Sequence, residues 1–275
     1  MPLSERPVIG FLTDFGLDGA AATCRGVMLG ICPHAQIIDI SHTVRKYAIR
    51  DGAFILRAAL PFMPVGAYVG VVDPGVGTDR RPIAIQTARG DVLIGPDNGL
   101  LLPAADALGG ADAARELTNR ELWLPATTAT FHGRDVFAPV AAHLAAADAG
   151  FEDVGPELPV GDLVRLPAAE ARAEPGRLAT EVTYVDSFGN VRLAGGRNDL
   201  ATAFGKIGEG DRFSVCIGPH SPDVAAFARS FGHVPLGAMI LYVDSSGDLA
   251  IADNQADLAS RIGAVAGMSV VIEPT

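Results

Sequence analysis

A carboxylate and a guanidinium lie seven residues apart in the glycine-rich stretch Asp73-Pro74-Gly75-Val76-Gly77-Thr78-Asp79-Arg80-Arg81. Such a stretch can fold back so that Asp73 and Arg80 meet. Arginine stays protonated and cannot act as a base, but it can orient an anion or a water. His132 stands in Phe131-His132-Gly133-Arg134-Asp135. An imidazole beside a carboxylate can orient or deprotonate water. Asp14, in Thr13-Asp14-Phe15-Gly16, follows an apolar run. At the end of a strand a carboxylate can accept both hydroxyls of a ribose at once. Each group also has an ordinary structural use. Asp73 and Arg80 make a plausible surface ion pair, Asp14 a helix cap, and His132 the first residue of a helix.

The second half of the chain offers groups suited to a flat ring. In Asp186-Ser187-Phe188-Gly189-Asn190, Phe188 can stack on a base and Asn190 can read its edge. The same residue types also suit a β-turn. Tyr242 to Gly247 supplies hydroxyls, Ser245 among them, and Asp253-Asn254-Gln255 follows shortly after. Asp14, Asp39, Asp73, Asp97 and His132 show no HxH, HExxH or DxD spacing, so no metal is expected. There is no GxxxxGK[ST] and no GxGxxG, and the two lysines, Lys46 and Lys206, lie in no phosphate-loop or Schiff-base motif.

The elements that would position these groups follow from the apolar pattern. Buried strands are expected at Val8–Leu12, Gln36–Ile40 and Ala67–Val72, with a helix opened by the turn Asp18-Gly19 and stopped by Pro33, and another from about Ala48 to Leu60, between them. Pro82–Thr87 and Asp91–Gly95 suggest a hairpin, and Pro96-Asp97-Asn98-Gly99 a turn into a helix near Leu100. An alanine-rich helix is expected from about Val136 to Ala147. This alternation predicts an α/β N-terminal domain with a mainly parallel sheet, residues 1–165. Gly155 to Arg177 is rich in Pro, Gly and charge and reads as a linker or edge segment. The remainder, residues 176–275, predicts a smaller, mainly β, barrel-like C-terminal domain. Its strands are expected at Ala179–Val185, Val191–Leu193, Arg212–Ile217, Ala238–Val243, Asp248–Ala252 and Met268–Ile272. A helix is expected at Asp223–Ser230, after the start signals Ser221 and Pro222.

Composition narrows the partners. The net charge is −11 without a basic stripe, which argues against nucleic acid and against an anionic membrane surface. No apolar run reaches the roughly 20 residues of a membrane span. The polar stretch Met1 to Pro7 lacks the apolar core of a secretion signal. Cys24, Cys32 and Cys216 form no CxxC, which suits free thiols in a cytoplasmic protein.

In combination and in order, these motifs resemble the SAM hydroxide adenosyltransferase family, SAM hydrolases related to fluorinase and chlorinase. The resemblance rests on Thr-Asp-Phe-Gly at 13–16, Asp-Pro-Gly-Val-Gly with Arg80, Pro-Asp-Asn-Gly at 96–99, Phe-His-Gly-Arg-Asp at 131–135, Phe-Gly-Asn at 188–190 and Ser-Ser-Gly at 245–247. It covers essentially the whole chain. It implies hydrolysis of S-adenosyl-L-methionine (SAM) to adenosine and L-methionine, with Asp73, Arg80 and His132 activating the water and no metal or cofactor. It implies that Asp14 holds the ribose and Tyr47 lines the pocket. By the same resemblance Asp186 and Ser245 hold the methionine end, and Phe188, Asn190 and Phe231 meet the adenine. Phe131 and Asn254 join the substrate-binding set. It further implies a homotrimer with sites at subunit interfaces. A halide adenosyltransferase and a non-catalytic SAM or adenosine binder are the alternatives. Fluorinase-like enzymes place a Tyr, a Thr and a Ser where this chain has Asp73, Val76 and Gly133. A carboxylate repels a halide and Gly offers no hydroxyl, so water is the expected nucleophile.

Overall fold

The computed structural model describes residues 6–275, so most of the polar stretch Met1 to Pro7 lies outside the described residues. The chain forms two compact units, Met1–Leu166 and Pro167–Thr275.

The first unit holds seven strands: β1 (Val8–Thr13), β2 (Gln36–Ser41), β3 (Ala67–Val71), β4 (Pro82–Thr87), β5 (Val92–Pro96), β6 (Ala111–Glu116) and β7 (Glu157–Leu158). They line up as β2-β1-β3-β5-β4-β6-β7. The sheet is mixed. Strands β2, β1, β3 and β5 are parallel, and β4, β6 and β7 extend them antiparallel. The change of direction has a local cause. Helices α1 (Ala20–Ile31) and α2 (Ile49–Ala59) carry the chain back between parallel strands, whereas Ala88-Arg89-Gly90 closes a tight hairpin between β4 and β5.

Both faces of this sheet are covered, which is why its strands read as unbroken apolar runs. Ile9, Phe11, Val69 and Val71 face one core with Cys24, Met28 and Val140, from α1 and α4 (Ala138–Ala146). Leu12, Tyr68 and Val72 face the other with Leu56 of α2 and Ala104 of α3 (Leu102–Ala107). Gly10 is required beneath Tyr68, because a Cβ there would lie 2.2 Å from that ring. Pro33 cannot continue α1, and the last turn closes with Cys32 N–H on the Met28 carbonyl.

The second unit is a barrel. It is built from β8 (Arg172–Glu174), β9 (Arg177–Val185), β10 (Val191–Gly196), β11 (Arg212–Ile217), β12 (Asp223–Phe227), β13 (Met239–Val243), β14 (Asp248–Asp253) and β15 (Ser269–Pro274). The order β10-β14-β13-β12-β11-β15-β9 closes through a further β9–β10 pairing, giving seven strands with β8 at the outside of β9. Helix α5 (Arg197–Phe204) and helix α6 (Leu258–Ile262) complete it. Inward-facing Leu178, Val182, Val191, Val215, Leu241, Ile251 and Ile272 fill the interior.

The helix expected at Asp223–Ser230 is instead strand β12. Its residues alternate, with Ala225 and Phe227 buried while Val224 stays exposed. Strand β12 pairs with β11 on one side and β13 on the other. Ring closure needs these ladders, and eight residues of modest helix propensity do not outweigh them. Ser221 and Pro222 begin a hairpin strand rather than a helix.

Candidate active site

Three parallel strands deliver their carboxyl ends to one edge of the first unit's sheet. Asp14 follows β1, His42 follows β2 and Asp73 follows β3. Ligands bind at this edge of open α/β sheets because the loops there are free to carry chemistry.

The stretch after β3 is a compact turn. The Val76 N–H donates to the Asp73 carbonyl at 3.3 Å, and the Thr78 hydroxyl donates to the Gly75 carbonyl at 2.7 Å. The turn returns Arg80 to Asp73. Arg80 Nε donates to Asp73 Oδ1 at 3.1 Å and Nη2 to Oδ2 at 2.5 Å, a bidentate fork. The same Nη2 lies 3.2 Å from His132 Nδ1. The side chains of Asp73 and Arg80 are only 4% and 7% exposed, so this is no surface ion pair. Arg80 Nη1 is buried and has no hydrogen-bond partner. The guanidinium also lies over the Phe137 ring, 5.5 Å from its centroid, and His132 meets that ring edge-on at 6.5 Å.

Arginine only donates, so His132 Nδ1 accepts and the imidazole is neutral with its proton on Nε2. Burial pushes the His132 pKa below 6.5, and the neighbouring Arg80 charge lowers it further. Asp73 and Asp135 act in the opposite sense but do not prevail.

His132 is held by its own segment. Gly133–Phe137 forms a π-helical turn running into α4, a geometry often found at functional sites. The fully buried Asp135 accepts from the Thr128 N–H and hydroxyl, both at 2.8 Å, and from Arg134. Burial works to raise the Asp135 pKa, but the Arg134 and Thr128 hydrogen bonds outweigh it and bring it below 3.8. This knot ties down the loop leading to Phe131 and His132. Gly77 packs against the same loop: a Cβ there would lie 2.5 Å from the Ala129 carbonyl oxygen.

Pro96-Asp97-Asn98-Gly99 braces the turn from behind. Asn98 Nδ2 donates to the Val72 carbonyl at 2.8 Å, and Arg81 pairs with Asp97. Its contribution is positional.

Asp14 and Tyr47 form a second group, in which the Tyr47 N–H donates to Asp14 Oδ2 at 2.9 Å. Tyr47 takes a positive φ of 66° and is 70% exposed. The Phe15 and Phe131 rings pack edge-to-face at 5.6 Å, linking the Asp14 loop to the His132 segment.

In the second unit, Asp186, Phe188, Asn190, Phe231 and Asn254 line one open pocket of about 780 Å³. Asp186 Oδ1 accepts from the Phe188 and Asn190 N–H groups, and Oδ2 accepts from Asn190 Nδ2. The turn so fixed leaves Phe188 76% exposed. Phe231 packs edge-on to Tyr242 at 5.2 Å. Asn254 donates Nδ2 to the Val234 carbonyl, so part of its amide serves the loop. Opposite the turn, the Ala259 N–H donates to the Gly189 carbonyl, and Arg261 forks onto Asp253. Ser245 does not line this pocket. It sits at the exposed turn between β13 and β14, where Asp244 Oδ1 accepts from the Ser246 and Asp248 N–H groups.

Among the described residues, no group of three or more His, Cys, Asp or Glu side chains is arranged to hold a metal ion. No helix among them is long and apolar enough to cross a membrane. Sequence reasoning missed the clamps around the site: Thr128 with Asp135, Phe137 beneath Arg80, and Thr13 with His42. The Phe-His-Gly-Arg-Asp run pointed at Asp135 without revealing its use.

Residues 9–155 match the profile of the SAM hydroxide adenosyltransferase N-terminal domain, and residues 180–271 that of the C-terminal domain. The chain is similar to a protein of Salinispora arenicola named (R)-S-adenosyl-L-methionine hydrolase. The two are 46% identical over 267 residues, 96% of this chain and 97% of the relative. A protein of Actinopolyspora mzabensis named fluorinase is more distant, at 29% identity over 97% of each chain. In structure, the chain resembles an uncharacterized conserved protein from Thermotoga maritima. The TM-score is 0.86 at 36% identity, covering 96% of this chain and 99% of that one.

Proposed function

The chain belongs to the SAM hydroxide adenosyltransferase family, and from that premise we propose that it hydrolyses SAM to adenosine and L-methionine. The observation that carries this reading is the buried Asp73–Arg80–His132 cluster with Arg80 Nη1 left as an unpaired donor.

The chemistry asks for a nucleophile. SAM already carries a sulfonium, so methionine departs as a neutral thioether and no general acid is needed. Water is the weak partner. A water oxygen held by Arg80 Nη1 feels a positive charge that favours its hydroxide form. The remaining lone pairs of Asp73 accept one of its protons and take it as the bond forms, while neutral His132, whose Nδ1 accepts from Arg80, holds the guanidinium in place. Attack on the ribose C5′, in line with the departing sulfur, forms the C–O bond of adenosine as the C–S bond breaks. The proton lost from water passes to solvent. Placing water and carbon in fixed geometry supplies much of the acceleration.

Asp14 is the ribose ligand in this reading, and Tyr47 and Phe131 border the sugar and sulfonium. Phe188, Phe231 and Asn190 take the adenine. Asp186 and Ser245 hold the methionine end, and Asn254 completes the binding set. The reaction uses no metal and no cofactor, and the working form is a cytoplasmic homotrimer with its sites at subunit interfaces.

The test is to incubate purified protein with SAM and follow adenosine and methionine by chromatography, with and without EDTA. Adenosine formed catalytically and unaffected by EDTA supports the proposal. Tight SAM binding in calorimetry without turnover overturns it in favour of a sensor. Chloride-dependent 5′-chloroadenosine overturns it in favour of a halogenase. Light scattering reads the trimer separately.

A further inference from the structure

A line of polar side chains crosses the ends of β1 and β2 beside the proposed site. Arg25 Nη1 donates to Asp39 Oδ2 at 2.5 Å, and Asp39 Oδ1 lies 3.0 Å from His42 Nε2. His42 Nδ1 lies 2.9 Å from the hydroxyl of Thr13, which is fully buried. The Thr13 oxygen also accepts the Phe15 N–H at 3.2 Å. His42 holds the same loop a second time, because its carbonyl accepts the Gly16 N–H at 2.7 Å. Phe11 packs edge-on to the imidazole at 4.8 Å and fixes the plane of the ring.

We infer that His42 is a positioning residue for the site, acting through Thr13 on the loop that carries Asp14 and Phe15. The inference rests on the proposed role of Asp14 at the ribose. With Asp39 accepting on Nε2–H, His42 presents a lone pair at Nδ1 to the Thr13 hydroxyl, whose oxygen then receives the Phe15 N–H. Both sides of Asp14 are thereby tied to one imidazole. A second branch runs through Phe15 to Phe131, the residue before His132. A network of oriented hydrogen bonds behind a ligand-binding group sets that group's direction, as outer-shell partners do elsewhere. The line from Arg25 through Asp39 and His42 ends on a buried hydroxyl whose remaining contact is the Phe15 N–H of the Asp14 loop.

The test compares Thr13→Val, which keeps the shape and deletes the hydroxyl, with Thr13→Ser, which keeps the hydroxyl. Asp39→Ala, on the exposed strand β2, releases the far end of the line without touching the core. Steady-state SAM hydrolysis and calorimetric binding of adenosine are measured for each, alongside melting curves. Loss of one such bond predicts that Thr13→Val raises both KM for SAM and Kd for adenosine by roughly tenfold. Asp39→Ala raises them a few-fold, kcat changes less than about twofold in both, and Thr13→Ser restores wild-type values. In an Asp14→Ala background the Thr13→Val effect disappears, because the group being aimed is gone. Unchanged KM and Kd in both Thr13→Val and Asp39→Ala overturn the inference. So does an undiminished Thr13→Val effect in the Asp14→Ala background. A wild-type protein that binds adenosine but does not hydrolyse SAM overturns the proposed activity alone. The binding series still decides the role of His42.

Discussion

Arg80 donates Nη2 to Nδ1 of His132 at 3.2 Å while the same nitrogen holds Asp73. One guanidinium therefore fixes a carboxylate and determines the tautomer of an imidazole 52 residues away in sequence. Its remaining nitrogen, Nη1, is buried without a partner. The arrangement sets a free donor on the guanidinium that also holds the Asp73 carboxylate, the donor and acceptor that holding a single water requires.

Replacing members of this trio separates their roles. Asp73→Asn is expected to lower kcat by about 10²- to 10⁴-fold, the usual range for losing a proton-handling group, and His132→Ala to lower it less, by releasing Arg80 Nη2. Arg80→Ala additionally leaves Asp73 buried and uncompensated and is expected to cost about 3 kcal/mol of stability. Single-turnover rates and urea midpoints distinguish the two effects. An Arg80→Ala protein as stable as wild type contradicts the buried ion pair.

The pH dependence follows from His132, whose pKa lies below 6.5 because of burial first and Arg80 second. The folded protein keeps this imidazole neutral where the unfolded chain would protonate it. Between the folded value and 6.5 the unfolded state binds more protons, so this group makes stability rise with pH in that window and level off above it. Activity is expected to stay flat through neutral pH and to fall on an acidic limb whose midpoint is below 6.5. A kcat/KM profile for SAM checks this, and a midpoint above 6.5 contradicts it.

Asp135 anchors the loop before His132. Asp135→Asn weakens the Arg134 fork and the Thr128 bonds, with an expected loss of about 3 kcal/mol. Its lowered pKa means that this contribution is complete above 3.8 and fades as pH falls through the folded value. Thermal melts at several acidic pH values read the difference from wild type, which should shrink as the pH drops.

Gly77 tests the packing of the two site segments. Its φ of 77° disfavours any side chain, and an added Cβ meets the Ala129 carbonyl at 2.5 Å. Gly77→Ala is expected to cost about 1–3 kcal/mol and to lower kcat more than it raises KM. The reason is that it parts Arg80 from His132 without touching the pocket in the barrel unit. Melting temperature and the kcat-to-KM split measure both effects.

Phe188 and Phe231 test the pocket in the barrel unit. Stacking on a base contributes about 1–3 kcal/mol, so Phe188→Ala is expected to raise KM by roughly 5- to 150-fold with little change in kcat or stability. Phe231→Ala should be milder, because Phe231 also packs on Tyr242. Initial-rate kinetics decides between them.

Much of this protein is written in short segments of its sequence. Val8–Thr13, Ala67–Val71 and their helices are recognisable because a doubly covered strand is apolar throughout, and a covered helix repeats its buried face. The residue types at Asp14, Asp73, Arg80 and His132 suit a ribose ligand, an oriented water or ordinary structural uses equally, and their order along the chain carries the family resemblance. Two things were set by tertiary structure alone. Asp223–Phe227 became a strand because barrel closure supplies partners on both of its edges, and no local propensity records that demand. The chemistry of Asp73 and Arg80 was decided in the same way. Seven residues of separation fit a surface pair as well as a catalytic one. Only the folded chain removes water from the pair, places His132 on its edge, and leaves one nitrogen of Arg80 without a partner.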